Sequence, residues 1–147
     1  MANQIFNGNW IILSGVKIEG LNSQTLHKKK LNSKIWGYNE GILQEILLEI
    51  LKKVIPNKVN EKNIIDIPLN VYEIKSLKSF FEEEVKKLLN ERMVSDSGFE
   101  VEILNQIILL DLRNNRKTDS LLYGYFNMLK IIDECIEANN PLYLTID

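Results

Sequence analysis

Apolar side chains recur at two spacings along this chain: every second residue towards its ends, and every third or fourth across much of its middle. The first spacing marks half-buried strands and the second marks helices that bury one stripe. At the N-terminal end Gln4-Ile5-Phe6, Trp10-Ile11-Ile12-Leu13 and Val16-Lys17-Ile18 read as short strands, parted by Asn7-Gly8 and Ser14-Gly15. Asn-Gly suits a type I′ turn, whose two central residues both need positive φ. A short antiparallel meander is expected, or a single bent strand over residues 10–18. Residues 21–38 are polar, basic and irregular, with one turn of helix at most over 23–30.

The clearest helix is predicted over residues 39–55. Ile42, Ile46 and Ile50 share a face that Leu43, Leu47, Leu51 and Val54 widen. Glu45, Glu49 and Lys53 lie opposite, with Glu49 and Lys53 spaced to pair, and Pro56 stops the helix. So wide an apolar arc calls for cover on two sides, from the centre of a domain or from a second copy. Ile64-Ile65-Asp66-Ile67 reads as a short strand. Asn70 and Glu73 then form a capping pattern for a helix over 71–92. That helix turns Leu77, Phe81, Val85 and Leu88 inward and sets Glu82 beside Lys86 and Glu83 beside Lys87.

Residues 99–112 carry both periods at once. Phe99, Val101 and Ile103 alternate as a strand would, whereas Leu104, Ile107, Ile108 and Leu112 fit a helix. The Ser97 and Glu100 capping pattern and the length of the stretch favour a helix. A polar loop follows over 114–118, then a helix over 119–139 with Leu122, Tyr125, Leu129, Ile132 and Ile136 as its stripe. Asn139-Asn140-Pro141 ends it, and Leu142, Leu144 and Ile146 alternate with Tyr143, Thr145 and Asp147 in a closing strand. The expected fold class is α+β. One globular domain, 1–147, would pack three to four helices on a small, mainly antiparallel sheet formed by N-terminal strands and a C-terminal strand.

A hydrophobic fraction of 45% and a charged fraction of 26% argue against global disorder in 147 residues. Lysines outnumber arginines 15 to 3, and with the many Ile and Asn this matches what AT-rich codons supply, so it carries no functional weight. The N-terminus has neither the basic nor the apolar segment of a signal peptide, and no apolar run reaches the ~20 residues of a membrane span, so a cytoplasmic protein is expected. The single cysteine, Cys135, between Ile132 and Ile136, excludes an internal disulfide and reads as a small core residue. Charge is sided: residues 1–60 hold eight Lys and four Glu, while 61–147 hold ten cations and sixteen carboxylates. An acidic half steers basic partners and disfavours nucleic acid.

Candidate chemistry is sparse. His27 is the only histidine, which excludes a two-histidine metal site, and Lys28, Lys29 and Lys30 oppose a further positive charge on it. Those lysines with Lys34, Trp36 and Tyr38 are the one feature resembling a nucleic-acid patch, though the stretch lacks arginine. Glu82, Glu83 and Glu84 fan around a helix rather than converge, and no glycine loop has a phosphate-binding pattern. No catalytic residue, metal or cofactor is expected. Asp133, Glu134 and Glu137 do form a strip at helical spacing, near a helix C-terminus whose dipole disfavours negative charge. A compensating cation is therefore expected, within the fold or on a partner.

Together these features suggest a binding protein of the immunity or antitoxin kind, which neutralises a toxin or nuclease by occluding its basic active site. Asp111, Tyr123, Asp133, Glu134, Glu137 and Tyr143 are the expected partner contacts. Two other classes compete: an enzyme on nucleic acid or a small molecule using His27, and a module that homodimerises through the 39–55 helix.

Overall fold

Leu142, Leu144 and Thr145 are fully buried in the last strand, and the main sheet is assembled around it. The computed structural model describes residues 11–19, 35–38, 42–57 and 64–146, with the main chain alone at 35–38, 42–47 and 64. Its strands are β1 (Ile11–Ser14), β2 (Ile35–Tyr38), β3 (Ile64–Leu69), β4 (Phe99–Ile103), β5 (Gln106–Leu110) and β6 (Leu142–Ile146). Its helices are α1 (Ile42–Val54), α2 (Val71–Glu91) and α3 (Arg116–Ala138). Strands β2, β1, β6 and β3 form one antiparallel sheet in that order, while β4 and β5 form a separate antiparallel hairpin. The architecture is α+β, with three helices packed against two small antiparallel sheets among the described residues.

β6 lies between β1 and β3, so Leu144 pairs with Leu13 on one side and Ile67 on the other. On one face Ile11, Leu13, Leu69, Leu142 and Leu144 join the core with Ile50, Leu51, Leu77 and Phe81 from the helices. The opposite face is not the wet one that alternation suggested, since Ile12, Ser14 and Thr145 are equally inaccessible. Burial obliges their polar atoms to find partners. The Thr145 hydroxyl accepts the Asp66 N–H at 3.0 Å and the Ser14 hydroxyl donates to the Val16 carbonyl at 2.7 Å.

Asp66 explains why Val16-Lys17-Ile18 is no strand. It occupies a bulge in β3 at φ +51°, and its two carboxylate oxygens accept the N–H groups of Ile18 and Glu19, both at 2.9 Å. A side chain takes the place of a ladder. Residues 35–38, expected to be irregular, instead pair with β1. The expected strand and turn at 4–8 and the helical turn at 23–30 lie outside the described residues.

Helix α2 starts as its sequence predicts. The Asn70 side chain accepts the Glu73 N–H at 2.8 Å and the Glu73 carboxylate accepts the Asn70 N–H at 2.9 Å, a reciprocal cap. The expected i,i+4 ion pairs are replaced by i,i+3 pairs, Glu49–Lys52, Glu83–Lys86 and Glu84–Lys87, because both spacings are neighbours on a helix surface. Helix α3 begins three residues earlier than expected, within the stretch read as a loop. It buries a wider arc than one stripe, with Gly124, Met128, Ile131 and Cys135 also inside, whereas Ile136 is 43% exposed. Asn139, at φ +52°, ends it by donating its N–H to the carbonyls of Cys135 and Ile136.

The largest correction concerns residues 99–112, a hairpin and not a helix. Leu104 and Asn105 form its two-residue turn, both with positive φ as a type I′ turn requires. Val101, Ile103 and Leu110 are buried on its inner face. Four β-branched residues (Val101, Ile103, Ile107 and Ile108) favour this outcome. Ser97, the supposed helix cap, directs its hydroxyl to Asp111 across the base of the hairpin. Gly98 makes that base possible: at φ +127° its α-carbon lies so near β5 that a Cβ would stand 2.1 Å from the Leu110 carbonyl oxygen. Gly98→Ala is therefore expected to lower the unfolding free energy by about 2–3 kcal/mol in urea titrations followed by circular dichroism. An alanine variant as stable as the parent would contradict this close approach.

Candidate functional site

Helices α2 and α3 run side by side and are joined at three levels. At one end the Arg92 guanidinium meets the Asp119 carboxylate, Nε to Oδ1 at 2.9 Å and Nη2 to Oδ2 at 2.8 Å. In the middle the Phe81 and Tyr125 rings pack with centroids 5.8 Å apart. At the other end Lys78 Nζ meets Asp133 Oδ1 at 2.7 Å. The Arg92–Asp119 pair is shielded from water, its side chains only 6% and 0% exposed. Nη2 also donates to the Leu109 carbonyl at 2.7 Å, and the Asp111 N–H donates to Asp119 Oδ2 at 2.7 Å. The pair thus ties the end of α2, the end of β5 and the first turn of α3 into one node. The hydrogen bond to Asp119 holds the Arg92 guanidinium above its ordinary pKa.

With the hairpin fixed by this node, its tip stands over α2 and α3 and encloses a groove of about 550 Å³. Ile103, Leu104, Phe126 and Leu129 give it an apolar floor, all buried or half-buried. Glu82, Glu102, Asp133, Glu134 and Glu137 line it as carboxylates, against the ammonium groups of Lys78 and Lys130. A surplus of three negative charges results. The hydrogen bond to Asp133 raises the Lys78 pKa, so this cation stays charged and engaged. Among the described residues Glu134 and Glu137 enter no ion pair, and both are exposed. An aromatic row leads into the groove: Phe99 meets Tyr123 edge-on at 5.3 Å, and Tyr123 stacks on Phe126 at 6.2 Å.

No family model, curated protein or solved structure matches this chain. Its own geometry is the guide to function.

The residues expected at a partner surface divide into three groups. Asp133, Glu134 and Glu137 come together on the groove wall, and Tyr123, 40% exposed, adjoins them through Phe126. Tyr143 is half-buried on the face of β6 opposite the helical core, paired in register with Ser14 and Pro68. Asp111 turns inward. It accepts the N–H groups of Asn114 and Arg113 at 3.1 Å each, the Asn114 amide at 2.8 Å and the Ser95 hydroxyl at 3.0 Å. Those donors stabilise the carboxylate and bring its pKa down from 3.8 to about 2. Cys135 is buried as expected, and burial pushes its thiol pKa up, away from reactivity. His27 and Lys28 to Lys34 lie outside the described residues, as do the side chains of Trp36 and Tyr38.

Sequence reasoning missed the hairpin's share of the groove: Glu102, Ile103 and Leu104. Had Phe99, Val101 and Ile103 been matched with Ile108 and Leu110 across a turn at 104–105, the strand register would have placed them. Among the described residues no group of His, Cys, Asp and Glu could hold a metal ion, and no helix is long and apolar enough to cross a membrane.

Two outcomes test the node. Arg92→Met should cost about 3–5 kcal/mol in chemical denaturation by leaving Asp119 buried without its cation, while Arg92→Met with Asp119→Leu recovers much of that loss. A single variant losing under ~1 kcal/mol would contradict a shielded pair. Asp111 sets an acid dependence. Its folded pKa lies below the unfolded value of 3.8, so its contribution is complete above about pH 5 and is lost as pH falls towards 2. The stability difference between the parent and Asp111→Asn should therefore shrink between about pH 5 and pH 2, and a constant difference would contradict the assignment.

Proposed function

We propose that this chain is a protein-binding module of the inhibitor type, which covers a basic surface of a partner through the groove between α2, α3 and the hairpin tip. One observation carries the proposal: five carboxylates and only two lysines line a groove with an apolar floor, and among the described residues Glu134 and Glu137 make no ion pair at contact distance, Glu137 feeling the Lys78 charge only at longer range. Surplus negative charge at a helix C-terminus is unfavourable in the isolated molecule. A basic partner would relieve it, while the apolar floor would add affinity that charge alone does not provide. The mechanism is occlusion. Complementary charge accelerates encounter, and burial of partner side chains on Phe126, Leu129 and Leu104 slows release.

An immunity protein that blocks the basic active site of a toxin or nuclease is the concrete form of this function. Asp133, Glu134, Glu137 and Tyr123 supply the contact, and Asp111 serves the fold. The product of the gene immediately upstream is the partner to test. A one-to-one complex is expected by light scattering, with association slowing about tenfold or more between low and ~0.5 M salt. Glu134→Lys with Glu137→Lys should weaken it by about tenfold or more. Binding indifferent both to salt and to this charge reversal would refute the proposal.

A further inference from the structure

The groove also specifies the shape of what it receives. Resting on the binding role proposed above, we infer that its occupant is a basic amphipathic helix of the partner: a short apolar stripe flanked on both sides by Lys or Arg. The carboxylates do not lie along one side. Glu102 stands on the hairpin, Glu82 on α2, and Glu134 and Glu137 on α3, with Leu104, Phe126 and Leu129 forming the apolar floor. An occupant must therefore present apolar groups downward and cations to more than one side at once. A helix does this, because residues three and four apart share a stripe and those between them flank it. An extended segment does not, because residues next to each downward side chain point to the opposite face. The volume of about 550 Å³ suits a few side chains of such a stripe, as in helix-in-groove recognition.

Leu104 provides an independent handle. It is a bulky residue at φ +51° in a turn where Asn or Gly is favoured, so the hairpin carries backbone strain at the groove floor. Asn at this position would fit the turn better and remove the apolar surface. Stability and binding should then move in opposite directions.

The experiment titrates the full chain with a labelled synthetic peptide of about 14 residues, Leu at helical spacing and Lys on both flanks, beside a scrambled peptide of identical composition. The helical design should bind about tenfold tighter than the scrambled one and shift the amide resonances of Leu104, Phe126 and Glu134. Leu104→Asn should weaken that binding at least about fivefold while its unfolding midpoint stays level or rises. Equal affinity for the two peptides overturns the helix inference and leaves capture of a basic partner standing. Binding of neither peptide overturns both. Undiminished binding by a folded Leu104→Asn overturns the place of Leu104 in the floor, and with it the inference.

Discussion

A guanidinium and a carboxylate, both shielded from water, hold the end of α2 against the first turn of α3. Removing two charges from solvent costs several kcal/mol for each, so such a pair persists only where its geometry and remaining hydrogen bonds are good. Here they are. Asp119 accepts from Nε and Nη2 of Arg92 and from the Asp111 N–H, while Arg92 also donates to the Leu109 carbonyl. Asp119 further gains from its place in the first turn of α3, where the helix dipole favours negative charge. Because three chain segments share the node, it sets where the hairpin leaves the helical layer as well as how the helices pair.

The groove follows from that constraint. The Arg92–Asp119 node anchors one end of the α2–α3 pair, the Phe81 and Tyr125 rings fill its middle, and Lys78–Asp133 closes the other end. The hairpin rises from the anchored end and brings its tip to the region of Phe126 and Leu129. One face of α3 thereby changes character along its length, from aromatic at Tyr123 and Phe126 to acidic at Asp133, Glu134 and Glu137. This face carries charge at one end and stacked rings at the other.

Two carboxylates show how environment separates side chains of the same type. Asp111 and Asp133 are both acidic residues of the C-terminal half. Asp111 ends β5 beside two serines and Asn114, and the fold draws it inward to close a turn. Asp133 sits on the groove wall, where Lys78 from the neighbouring helix neutralises it and the adjoining Glu134 and Glu137 remain exposed. The cation expected near the strip thus exists within the fold, but it pairs directly with Asp133 alone and acts on Glu137 only at longer range.

The local pattern of the sequence determined α2, its Asn70–Glu73 cap, the buried stripe of Leu77, Phe81 and Val85, the burial of Cys135 and the closing strand at Leu142 to Ile146. Each rests on interactions within a few residues or on a single period, which a linear reading can see. The acidic strip on α3 was legible for the same reason. Only the tertiary structure decided the hairpin at 99–110, because Gly98 approaches Leu110 and Ser97 turns to Asp111 across the two strands, contacts that outweigh the helical spacing of Leu104, Ile107 and Ile108. It also decided that residues 16–18 leave the sheet, through Asp66 some 48 positions away from Ile18. The groove belongs to the same class: its floor and rims come from α2, α3 and the hairpin, and no one stretch of chain holds enough of it to be recognised by spacing.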